Sequence, residues 1–150
     1  MTELSSSATV DQRFPVGFDE IRSGSAPAGD RGTNSPFSRI LHIRRYLAAR
    51  AERGRYFNSR LFGDPAWDML LELYVAALSQ RRVQVSRLAE RTAVPMTTTL
   101  RWISQLEREG LILREGDRFD ARLVLLSLTE EGRQKMDRYF DEVPEAIAPF

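Results

Sequence analysis

The chain has 150 residues, with 22 Lys or Arg against 21 Asp or Glu for a net charge of +1, and is 42% apolar and 29% charged. That is the length and balance of one ordinary globular domain with a core of its own. Cysteine is absent, which excludes disulfides, thiolate metal sites and Cys nucleophiles and fits a reducing compartment. No apolar run approaches the ~18 residues that cross a bilayer, and no basic stretch leads into an apolar one as in a signal peptide, so a cytoplasmic protein is expected.

Residues 1–35 are rich in Ser, Gly, Pro, Ala and Thr, including "SGSAPAGDRGTNS", and read as a disordered arm. Its one apolar island is "RFPVGFDEI" at 13–21, a candidate to dock on a partner or a second copy. Residues 36–150 are expected to form a single domain. Ser35 as N-cap, Pro36 at the first helical position and Gly54 as a stop predict a helix over 36–53. Phe37, Ile40, Leu41, Ile43, Leu47 and Ala48 recur at helical spacing, leaving Arg39, Arg45 and Arg53 to point elsewhere. "RYFNSRLFG" (55–63) suggests a short helical turn, and Asp64-Pro65 starts a second helix reaching about Gln80, with Met69, Leu70, Leu73, Val75, Ala77 and Leu78 on its face.

The elements then shorten. Ser86 is placed to cap a helix of about two turns that ends toward Pro95, and "MTTTLRWISQLEREG" is a longer helix closed by Gly110. "LILRE" and "RLVLLSL" are β-prone runs separated by a charged turn. Thr129 caps a last helix running to about Val143, with Glu130 and Glu131 in the first turn, where the helix dipole favours anions.

Helix, turn, helix, strand, charged loop, strand is the order of a winged helix-turn-helix, whose second helix enters the DNA major groove. On the 96–109 helix, Thr99, Leu100, Ile103, Leu106 and the stem of Glu107 fall on a side expected to pack on Leu88 and Ala89. Thr97, Thr98, Arg101, Ser104, Gln105 and Arg108 fall on the other, the groups that contact phosphates and base edges. Trp102, at the boundary, is expected to be a half-buried packing residue. Ser86 and Arg87, at the start of the preceding helix, and Arg118, Asp120 and Arg122, in the wing, complete the candidate DNA-binding set.

Charge is unevenly distributed: residues 39–60 hold seven Arg against one Glu, residues 81–122 nine Arg against six acids, and residues 123–150 six acids against three cations. All but Lys135 of the Lys and Arg are Arg. Arg suits bidentate contact with phosphate and guanine, although a GC-rich coding bias produces the same skew. One His, no glycine-rich phosphate loop and no metal-ligand spacing leave no catalytic motif, so a non-enzyme without cofactor or metal is expected.

"VSRLAERTAVPMTTTLRWISQLEREGLILRE" followed by "DARLVLLSLTEEG" resembles the MarR family of winged-helix transcription regulators. The likeness covers about residues 64–132. Its most specific parts are Asp120-Ala121-Arg122 with Leu128-Thr129-x-x-Gly132, then Leu106-Glu107-x-x-Gly110-Leu111-Ile112. The resemblance implies a mainly α fold with a small β-wing: a DNA-binding part at 64–128 and dimerisation helices at 36–63 and 129–150. It implies that Arg122 enters the DNA minor groove, where narrow grooves concentrate negative potential, with Asp120 holding the wing or that Arg. A local surface salt bridge is the alternative for the Asp120–Arg122 pair.

The resemblance further implies a homodimeric repressor on a palindromic operator, its recognition helices about one DNA turn (~34 Å) apart. A small aromatic carboxylate or phenol would bind between the dimerisation helices and the winged helix. His42, Tyr46, Arg50, Phe57, Arg60 and Trp67 could line that pocket, with core packing as the alternative for Tyr46, Phe57 and Trp67. The chain departs from the family in placing Leu100 where a polar residue is common and in having one confident helix after the wing rather than two. Opposite charges suit the basic 36–53 helix and the acidic 130–143 helix to pairing. A winged helix used for protein–protein contact, without DNA binding, is the other class the sequence allows.

Overall fold

A computed structural model of the chain describes residues 35–143, and for residues 59 and 60 the backbone alone. The expected arm, its 13–21 island and the last seven residues lie outside the described residues. Ser35 caps α1 (Pro36–Glu52), its hydroxyl accepting from the Ser38 N–H at 3.1 Å. The helix does not stop at Gly54: the backbone tightens into a 3-10 turn, Arg53–Arg55, and a second, Ser59–Phe62, follows. Asp64 caps α2 (Pro65–Leu78), which ends two residues before the expected Gln80.

α2 is the axis of the fold. Met69 and the whole run Leu71–Ala76 are buried, so its packing is not confined to the stripe that periodicity suggests. Leu71, Tyr74 and Ala76 join the core although they fall off the expected face. Ile43 from α1, Leu88 from the helix α3 (Val85–Thr92), Ile103 and Leu106 from α4 (Met96–Arg108), and Met136 from α5 (Glu130–Glu142) belong to the same core. Each fully buried aliphatic side chain of this kind contributes about 1.5–3 kcal/mol.

Three strands form an antiparallel sheet in the order β1-β3-β2, comprising β1 (Val83–Gln84), β2 (Ile112–Gly116) and β3 (Val124–Leu128). The sequence suggests only the β2–β3 pair. β1 is two residues long, pairing Val83 with Leu126 and Gln84 with Leu125. Because Gln84 ends that strand it is also the N-cap of α3, and Ser86 lies inside the helix instead of capping it.

A buried carboxylate and a buried phenol tie the helices together. Glu72 on α2 is 3% exposed and accepts from Arg44 of α1 at 2.6 Å and from Arg91 of α3 at 3.2 Å. A buried charge is tolerable when it is paired in this way. Tyr74 donates to Asp137 of α5 at 2.6 Å and accepts from Arg39 of α1 at 2.9 Å, while Arg39 reaches Asp141 at 2.6 Å. Arg39 therefore turns inward, contrary to its place off the apolar stripe, whereas Phe37 is 74% exposed. The expected charge pairing of α1 with α5 is present within one chain. Burial, then the bond to Asp137, pushes the Tyr74 hydroxyl up to about 12.

Candidate nucleic-acid interface

α3 ends at Ala93, which takes the left-handed conformation (φ 52°), and Pro95, in extended backbone, caps α4. The link between the helices is therefore three residues, Ala93 to Pro95. Thr99 is fully buried, its hydroxyl donating to the carbonyls of Val94 and Pro95 at 3.3 and 3.1 Å, which fastens the turn to α4. At the far end Gly110 adopts φ 71°, reversing the chain into β2.

The loop between β2 and β3 is organised by two carboxylates. Asp117 Oδ1 accepts from the N–H groups of Phe119 and Asp120 at 2.8 and 3.0 Å. Asp120 Oδ1 accepts from the N–H of Arg122 at 3.0 Å and from its Nε–H at 3.2 Å. The Arg122 side chain remains 90% exposed. Two helices, a short turn and a two-stranded wing with a cation at its tip stand in order. This is a winged helix-turn-helix.

No family model and no curated protein matches the sequence. Solved structures do. The chain is similar to a single-substitution mutant of Lactococcus lactis ZitR at 20% identity and a TM-score of 0.43, over 49% of this chain and 49% of that one, so it spans about half the ZitR length. It is similar to a MarR family transcriptional regulator from Silicibacter pomeroyi at 25% identity and a TM-score of 0.47, over 79% and 76% of the two chains. Against S. aureus MepR, solved as a DNA complex, identity is 24% and the TM-score 0.46, over 71% of this chain and 82% of that one.

The winged helix distributes the candidate residues as follows. Thr97, Arg101 and Arg108 are exposed on α4, and Thr98, Ser104 and Gln105 are half-buried there. Arg101 lies over the ring of the half-buried Trp102, its guanidinium carbon 5.9 Å from the centroid. Gln105 donates to Glu109 Oε1 at 2.9 Å. Ser104 accepts from Arg114 of β2 at 3.4 Å, and Arg114 also binds Glu107. Ser86 and Arg87 are exposed on α3, with Arg87 paired to Glu90 at 3.1 Å. Arg118 is exposed on the wing. Among the described residues Arg101, Arg108 and Arg118 form no ion pair, which leaves their guanidinium donors available.

Leu100 is 41% exposed and Met96 43%, so Leu100 does not pack inward with Ile103 as the wheel suggests. Both lie on the helix that carries the polar candidates. Apolar atoms in such a position can meet the thymine methyl group. Sequence reasoning misses Asp117, whose only signal is a Gly-Asp pair ahead of the turn, and Arg114, which anchors the wing strand to α4.

The candidate effector residues separate. His42, Tyr46 and Trp67 line one cleft together with Leu71, Tyr139 and Phe140. Its volume is about 20 Å³, room for roughly one water molecule. Arg50 lies beside it, donating to Tyr46 Oη at 3.0 Å and paired with Asp68 at 3.3 Å. Burial raises the Asp68 carboxyl above its ordinary value, opposed by Arg50. Phe57 stands apart, exposed and edge-on to Phe62 with centroids 5.7 Å apart. The Arg60 side chain lies outside the described residues. Among the described residues there is no cluster of potential metal ligands and no helix long and apolar enough to cross a membrane.

Proposed function

We propose that the chain is a MarR-type transcriptional regulator that binds duplex DNA sequence-specifically. The observation that carries this reading is the polar face of α4 beside a wing whose Arg122 is anchored by Asp120 and otherwise exposed. Thr97, Thr98, Arg101, Ser104, Gln105 and Arg108 read the major groove and its phosphates, Ser86 and Arg87 hold the backbone, and Arg122 with Arg118 follows the minor groove.

The working form is a homodimeric repressor on a palindromic operator. Exposed Phe37 and Leu41, one turn apart on α1, support a self-association surface there. A small phenol or aromatic carboxylate would release the DNA by opening the cleft at His42, Tyr46 and Trp67, which must widen to admit a ring. Trp67 makes that opening visible by fluorescence during titration with phenolic acids.

The deciding experiment is fluorescence-polarisation binding to the protein's own upstream DNA across a series of salt concentrations. The affinity should fall steeply and linearly on a log–log plot, by about 0.9 per phosphate neutralised. Absent or salt-insensitive binding would favour the other reading, in which the exposed Met96 and Leu100 make α4 a protein-docking helix.

A further inference from the structure

Five arginines line one cleft formed by α1, the α2–β1 link and α3. Arg44 of α1, Arg81 and Arg82 of the α2–β1 link, and Arg87 and Arg91 of α3 line it together with Gln84, and its volume is about 250 Å³. No aromatic residue contributes to its walls, unlike the cleft at Tyr46 and Trp67.

The charges around it do not balance. Glu72 pairs with Arg44 and Arg91, Glu115 with Arg82 at 2.8 Å, and Glu90 with Arg87 at 3.1 Å. Arg81 has no ion pair among the described residues. Five guanidinium groups thus face three carboxylates, leaving an excess of two positive charges along a concave wall. Guanidinium forks match oxyanions bidentately, and several together favour a doubly or more highly charged one. The walls come from α1, the end of α2, and α3, so an anion held there would bridge the dimerisation helix and the helix-turn-helix. It would also compete with Glu72 for Arg44 and Arg91.

We propose that this cleft binds a small phosphorylated anion carrying a di- or polyphosphate group, at a place that shares Arg87 alone with the proposed DNA contacts. The proposal does not depend on DNA binding, because the free chain presents the complete cleft.

The test is calorimetric titration of inorganic pyrophosphate into the full chain without DNA. Saturable binding near one site per chain is expected. Arg81→Ala should weaken it at least about tenfold, and because Arg81 supports no ion pair the variant should melt like the parent. Arg108→Ala and Arg122→Ala should bind pyrophosphate as the parent does. No saturable binding at about 1 mM, or an unchanged affinity in Arg81→Ala, overturns the proposal. Equal weakening in Arg122→Ala would mean diffuse charge attraction and overturns it too. If Arg81→Ala loses DNA affinity in step with pyrophosphate affinity, the cleft holds a DNA backbone phosphate instead, which also defeats the small-anion reading.

Discussion

One oxygen of Asp120 holds Arg122 at two points, its backbone N–H at 3.0 Å and its Nε–H at 3.2 Å. The terminal nitrogens of the guanidinium have no partner from that carboxylate, so the side chain is aimed without being neutralised at its tip. Arg122→Ala should cost about 1–3 kcal/mol of operator affinity with the fold intact. Asp120→Ala should cost less, about 1 kcal/mol, through loss of aim. Polarisation binding with melting curves on the same samples separates the two. Equal affinity for Arg122→Ala and the parent would show that the wing does not touch DNA.

Glu72 makes a stability prediction. Removing both of its partners in Arg44→Ala/Arg91→Ala leaves a buried carboxylate uncompensated, at a cost of about 3–5 kcal/mol. Glu72→Gln should be milder, because the two arginine side chains are 38% and 45% exposed and can be solvated. Urea unfolding of the three proteins should rank them in that order, with the double variant least stable.

Tyr74 predicts a change at alkaline pH. Its hydroxyl titrates at about 12 in the folded chain, against 10.0 ordinarily. Below pH 10 both states hold the proton and nothing changes. Between pH 10 and 12 the unfolded chain loses a proton that the folded chain keeps, so stability falls as pH rises through that window. Tyr74→Phe should remove that part of the slope and cost about 1–2 kcal/mol at neutral pH for the lost bonds to Asp137 and Arg39. Melting temperatures of both proteins across pH 8–12 check it; parallel curves would contradict the assignment.

Gly132 is required by space. A Cβ there would lie 2.1 Å from the carbonyl oxygen of Leu111, which is itself bonded to the Thr129 N–H at 2.9 Å. Gly132→Ala should destabilise the fold by about 1–3 kcal/mol and loosen the start of α5 against β2. Circular dichroism melts measure the loss, and an unchanged melting point would show that the backbone yields freely.

The parts legible in the sequence are those governed by local chemistry. Ser35, Asp64 and Thr129 cap helices because each hydroxyl or carboxylate sits ahead of its own run, and Gly110 takes the left-handed turn that the end of α4 needs. The close approach at Gly132 likewise gives the Leu-Thr-x-x-Gly string a spatial reason. The parts that do not follow from local pattern depend on distant partners. Glu72 in "LLELYV" looks like a polar interruption, and only the arrival of Arg44 and Arg91 makes its burial tolerable. Arg39 turns inward because Tyr74 and Asp141 await it from α2 and α5. β1 is too short for any alternation to show, and it exists because β3 has a free edge beside Val83. Of the candidate pocket, His42, Tyr46 and Trp67 come together because α1 and α2 pack side by side, while Phe57 follows the 3-10 turns away from them.

The central place of β3 has a mechanical meaning. One of its edges carries β1, which runs directly into α3, and the other carries the wing strand β2. The helix-turn-helix and the wing strand are thereby mounted on a common strand. In the proposed DNA complex the helix pair and the wing would therefore meet the duplex from one shared support, so a change in how β1 sits on β3 would be felt at both.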